Sequence, residues 1–70
     1  MKRIAIKVEN NIEEILTFLE ERGYKWFSGN KPTEGLNWGS KFIIAEDKTL
    51  THRTAGNEPK AITFEQLKRI

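Results

Sequence analysis

Between Arg22 and Lys41 the chain interleaves four cations with four aromatic rings. Arg22, Lys25, Lys31 and Lys41 alternate with Tyr24, Trp26, Phe27 and Trp38, and Glu34 is the one acid in the stretch. Such a mixture suits a ligand that offers phosphate together with a flat base, because a cation meets the phosphate and a ring stacks on the base. A mononucleotide derivative and a single strand both fit that description. Trp38 stands out, because it lies in a Gly/Asn-rich stretch where burial is hard to supply. The group Asn37-Trp38-Gly39-Ser40 gathers an amide, an indole and backbone donors, the kind of groups that fix orientation in small-ligand sites. Trp38, Trp26 and Tyr24 are therefore the stacking candidates. Arg22, Lys25, Lys31 and Arg53 are the phosphate candidates, and Asn37 and Ser40 would orient a base or ribose. A guanidinium such as Arg53 can fork onto a phosphate or carboxylate. The plainer account is a core of aromatics with solubilising lysines, and a surface ion pair for Arg53.

Other chemistry-bearing residues are sparse. His52 is the only histidine. It could pair with Ser28 or Ser40, although nothing in the spacing supports a nucleophile and base, and a strand histidine is the simpler reading. Glu46 and Asp47 are adjacent carboxylates that read as hairpin-turn residues before they read as an acid–base or metal pair. Glu9, Glu13, Glu14, Glu20 and Glu21 follow one another with no intervening basic residue, which makes a solvated acidic face or a dock for a basic partner. The chain contains no glycine-rich dinucleotide fingerprint, no Walker loop and no His-Glu-x-x-His motif. With no cysteine, disulfides and thiolate metal sites are excluded. The expectation is a protein without a catalytic constellation, metal or cofactor.

These residues must be positioned by a small set of elements. Ile4, Ile6 and Val8 alternate with Arg3, Ala5, Lys7 and Glu9, which predicts a half-buried strand over 3–9. Ile12, Ile15, Leu16 and Leu19 form one helical stripe with Phe18 at its edge. Asn10 or Asn11 is a candidate cap, Glu13 or Glu14 stands in the capping-box place, and Gly23 follows the helix, predicting a helix over about 11–22. Tyr24–Phe27 reads as a short strand that returns beside the first. Residues 28–40 read as a long loop, which in a small domain is mobile or functional. Residues 41–45 and 49–53 read as two strands joined at Glu46-Asp47-Lys48, with Leu50 and His52 on one face and Thr49, Thr51 and Arg53 on the other. A second loop covers 55–60. Thr63 and Gln66 then form a capping box, Ile62 and Leu67 a hydrophobic staple, and Phe64, Leu67 and Ile70 share one face of the closing helix. The order β-α-β-β-β-α predicts a two-layer α+β fold, with a mostly antiparallel sheet and helices on one face.

The sequence has 70 residues, of which 37% are hydrophobic and 31% charged, with a net charge of +2. That length gives one domain over 1–70. The balanced charge and the aromatic content argue against disorder, and the small net charge does not favour duplex binding. A chain of this size can hardly enclose a pocket alone, so a homo-oligomer is expected. No apolar run is long enough to span a membrane, and no signal peptide is visible. The expected setting is the cytoplasm of a host cell.

The segment Gly23-Tyr24-Lys25-Trp26-Phe27-Ser28-Gly29-Asn30-Lys31-Pro32-Thr33-Glu34 and the closing Ile62–Leu67 segment resemble a family of small phage and prophage proteins of Gram-positive bacteria. In that family a helix ending in Leu/Arg-Gly leads into a Tyr-Lys/Arg-Trp-x-Ser/Ala-Gly segment, followed by a hairpin and an Ile-Thr-Phe-Glu-Gln/Glu terminus. The resemblance gives no established activity, and it implies an accessory or counter-defence role. Some proteins of that kind sequester the nucleotide signals of bacterial immunity, and others bind a defence protein directly. Three expectations follow: capture of a small nucleotide-type ligand by a homo-oligomer, inhibition of a host defence protein through the acidic helix or a strand edge, and binding of a single-stranded nucleic acid.

Overall fold

The computed structural model describes residues 3–70. The elements are β1 (Ile4–Lys7), α1 (Ile12–Glu21), β2 (Lys25–Trp26), a 3-10 turn at Pro32–Gly35, β3 (Phe42–Glu46), β4 (Thr49–Arg53) and α2 (Phe64–Leu67). The four strands form one sheet in the order β1-β3-β4-β2. β1 pairs antiparallel with β3 and β3 with β4, while β2 runs parallel to β4. This is a small α+β fold with a mixed sheet.

Alternation sorts the strand residues. Ile4, Ile6, Ile43, Ala45 and Leu50 meet Ile15, Leu16 and Leu19 of α1 and Leu67 of α2 in one core. Both helices therefore cover one face, and the apolar stripe read from the sequence is the stripe that packs. Each fully buried aliphatic side chain contributes about 1.5–3 kcal/mol relative to exposure, so this layer dominates the stability.

The short strand does not return beside the first. Two antiparallel strands lie between them, and β2 occupies the opposite edge. β1 and β2 point the same way, because each is related to β4 through an even number of reversals. A parallel pair needs a crossover. α1 supplies it across the inner face, and the β3–β4 hairpin is inserted between the two strands it joins.

The helix ends follow local chemistry with one exception. Gly23, at φ 85°, sits one residue beyond the Arg22 cap. The amides of Gly23 and Tyr24 bond back to the carbonyls of Glu20 and Leu19, the double bond of a Schellman ending. At the other end no side chain caps α1. Asn11 instead turns its Oδ1 back to the amide of Glu9, at 2.8 Å, so the capping box expected there does not form. On α2 the box does form: the Gln66 amide donates to Thr63 Oγ1 at 3.2 Å, and Gln66 Oε1 accepts from the Thr63 amide at 2.9 Å. Ile62 and Phe64 pack on the core, but Ile70 lies beyond the helix and is exposed. The β3–β4 turn holds Asp47 and Lys48 at φ 56° and 64°, a two-residue turn of the left-handed kind that suits strand twist. Lys48 Nζ donates to the Arg22 carbonyl at 2.9 Å, tying the turn to the negative end of α1.

Toward β1 the outer face of the sheet is crossed by chain rather than by helix. Residues 54–61 run from the end of β4 to the free edge of β1. There the Ile62 amide donates to the Ala5 carbonyl and the Ile62 carbonyl accepts from Lys7, both at 2.8 Å. Arg3 and Arg53 project outward by strand alternation, and both reach Glu58 of this strap, at 3.2 and 2.6 Å. Ala5 and Ile44 are buried on that outer face. The opposite edge is closed as well: the Trp26 amide bonds the Asn30 carbonyl, and the Gly29 amide bonds the Trp26 carbonyl. No helix among the described residues is long and apolar enough to cross a membrane.

Candidate ligand-binding site

The 28–40 segment is an ordered platform for two indoles. Pro32 fixes φ at the start of the 3-10 turn, and its carbonyl accepts the indole N–H of Trp26 at 2.9 Å. That bond satisfies the one polar atom of a ring that is 3% exposed. The turn itself is held to α1 by Glu20, whose Oε1 accepts from the hydroxyl of Thr33 at 2.7 Å and from its amide at 3.2 Å. These two donors hold the Glu20 carboxyl below the usual carboxylate range. Gly35 lies flat against both indoles. A Cβ at that position would stand 2.6 Å from Trp26 Cζ2 and 2.9 Å from Trp38 Cε3. A glycine is thus required by close approach, and its backbone presses Trp38 onto Trp26.

Three rings gather there. The centroids of Trp26 and Trp38 are 4.7 Å apart, those of Trp38 and His52 5.1 Å, and those of Trp26 and His52 5.6 Å. Trp26 is the buried member and Trp38, at 39% exposure, the outward one. His52 comes from β4, on the same face as Leu50. Its Nδ1 lies 2.9 Å from Ser40 Oγ. The hydroxyl fixes the ring through one nitrogen and leaves Nε2 without a partner among the described residues. Beside these rings opens a concavity of about 300 Å3, lined by Trp26, Phe27, Ser28, Trp38, Leu50, Thr51 and His52. It offers aromatic faces with two hydroxyls and an imidazole at its margin, a composition suited to orienting a flat ring. Ser40 is not among the lining residues, so it positions His52 instead of facing a ligand.

The residues selected from sequence do not all converge on this place. Trp38 lines the concavity, Trp26 forms its floor, and Ser40 supports it from behind. Lys25 alternates with Trp26 and projects from the outer face, exposed. Lys31 and Asn37 are exposed within the loop. Tyr24 and Arg22 border a different hollow with Phe18, Lys48 and Leu67. There the Arg22 guanidinium lies 3.5 Å from the centre of the Phe18 ring and donates to the Phe18 carbonyl, while Lys48 sits over Tyr24. Arg53 is engaged by Glu58. His52, Phe27, Ser28 and Thr51 were not among the ligand candidates. His52 was recoverable in part, since its alternation with Leu50 already placed it on the inner face. Its meeting with Trp38 depends on the path of a loop that has no periodicity.

Comparison of the chain with protein-family models, with curated proteins and with solved structures finds no match to any of them.

Proposed function

We propose that this is a non-enzymatic binding protein that captures a small nucleotide-type ligand, as a counter-defence protein sequestering an immune signal would. The observation that carries the proposal is the half-exposed indole of Trp38, backed by Trp26 and His52 at the rim of an open concavity of about 300 Å3. A base would stack on Trp38, which is worth about 1–3 kcal/mol per base. His52 Nε2, Ser28 and Thr51 are the polar groups nearest such a ring. Lys25 and Lys31 are exposed and form no ion pair among the described residues, but neither lines the concavity. Arg22 and Arg53 are already engaged. One subunit leaves the concavity open on one side, which supports a homo-oligomeric form. The resemblance to small phage proteins supports the counter-defence setting.

Native mass spectrometry of protein purified from a phage-infected, defence-positive host tests this reading. It predicts subunits carrying an extra few hundred daltons, on the order of one to two nucleotides, released on denaturation as a phosphate-containing compound. A bare protein with a stoichiometric host polypeptide contradicts it and favours the second reading, inhibition of a host defence protein. One observation favours that alternative. A groove of about 410 Å3 between α1 and α2 is lined by Glu13, Glu14, Glu21, Thr17, Phe18 and Phe64, with Lys68 as its one cation, and its excess of carboxylates would suit a basic, partly apolar segment. Strand addition fits less well, because Ile62 and Asn30 occupy the outer sides of the two edge strands.

A further inference from the structure

Among the described residues the most exposed large apolar side chain is Phe27, 83% accessible just past the end of β2. Its amide is bonded to the Leu50 carbonyl, so it stands level with Thr51, which pairs with Ile44. These residues form a row across the outer face, beyond the reach of the strap. Phe27 itself forms one wall of a depression of about 280 Å3 on the same face, lined further by Ile44, Thr49, Thr51, Glu46 and Asp47. A phenyl ring thus stands at the edge of a hollow whose other apolar lining residue is Ile44. The charges around the two differ. Lys25, two residues before Phe27 on the same face, is basic and exposed. Glu46 and Asp47, on the rim of the hollow, are acidic and exposed.

We infer that this face binds a second copy of the chain in a two-fold dimer, with each Phe27 seated in the other subunit's hollow. A two-fold contact demands that one patch be complementary to itself, so that any group in it meets its complement across the axis. A knob beside a hole, with a cation on the knob side and carboxylates on the hole side, meets that demand. Lys25 of each subunit then approaches Glu46 and Asp47 of the other. The patch is a fraction of a molecule only 27 × 25 × 20 Å across, which limits the area that it can bury. The dimer is accordingly of modest affinity and rests on Phe27 as its anchor. Thr51 and Phe27 also line the Trp38 concavity, so the dimer contact borders that site. The inference deepens the homo-oligomeric part of the proposed function, and its test, made without ligand, is distinct from the test of nucleotide capture.

Sedimentation equilibrium of the full chain, without added ligand, is the test. The expected result is a reversible monomer–dimer equilibrium between 8.2 kDa and twice that mass, within a concentration range of about 10 μM to 1 mM. Phe27→Glu should weaken it by about thirtyfold or more, the loss typical of an anchor residue, with an unchanged far-ultraviolet spectrum and melting curve. Lys25→Glu should weaken it, and adding Glu46→Lys should restore it, since the pair is exchanged across the axis. A chain that stays monomeric to 1 mM overturns the inference. So does a dimer that Phe27→Glu leaves intact, growth beyond a dimer, or failure of the double variant to recover.

Discussion

At the scale of single residues, the two tryptophans, one on β2 and one in the following loop, have opposite fates. Trp26 is buried because Pro32 offers its indole a carbonyl partner and Gly35 lets the backbone lie against it. Trp38 is left outside as the last ring of the stack. Gly35→Ala tests this arrangement. Its φ is ordinary, so the methyl acts only by volume, and Trp26 is too confined to move away. Overpacking of this kind costs about 1–3 kcal/mol. Urea unfolding should report a loss in that range, and Trp38 should lose quenching by its neighbours. An unchanged stability would mean that the 3-10 turn shifts freely and does not seat the indoles. The sequence marks Trp38 as unusual through its Gly/Asn surroundings. It does not separate Trp26 from Trp38, because the distinction depends on a hydrogen bond across six residues of irregular chain.

At the scale of elements, the strap over 54–61 does work that a helix does elsewhere. Its single anchor is Glu58, which the guanidinium of Arg3, and then that of Arg53, hold below the usual carboxylate range. The Glu20 carboxyl is lowered likewise by Thr33. In both cases the folded form favours the charged carboxylate, so the stabilisation is complete above the ordinary carboxylate range and is lost as acid protonates the folded form. The melting temperature of the protein should therefore fall on acidification from about pH 5 to about pH 3. Glu58→Gln should melt lower than the parent at neutral pH and show a shallower fall across that window. Parallel curves for the two proteins would show that Glu58 does not anchor the strap. The strands, the hairpin and both helices are legible in the sequence, because alternation and helical spacing are local signals. The position of β2 is not. The pairing of Lys25-Trp26 with Thr49-Leu50 joins residues more than twenty apart, and two residues of strand carry no pattern from which to read a neighbour.

At the scale of the whole molecule, one chain provides a two-layer scaffold with an aromatic site at its rim and a self-complementary patch next to it. Trp38, His52 and Phe27 emerge at the β2–β4 edge of that scaffold. The cations picked out by sequence are distributed around the molecule, and the ring-binding part of the site is the part that a single subunit assembles. The measurement that bears most directly on this account is calorimetric titration of the protein with mononucleotides and cyclic dinucleotides, set against Trp38→Ala. The account predicts saturable binding of at least one of these compounds. It also predicts a loss of about tenfold or more in affinity for the variant, the equivalent of one stacked base, with the fold intact by circular dichroism. Equal affinities in the two proteins, or no binding to either, would contradict it.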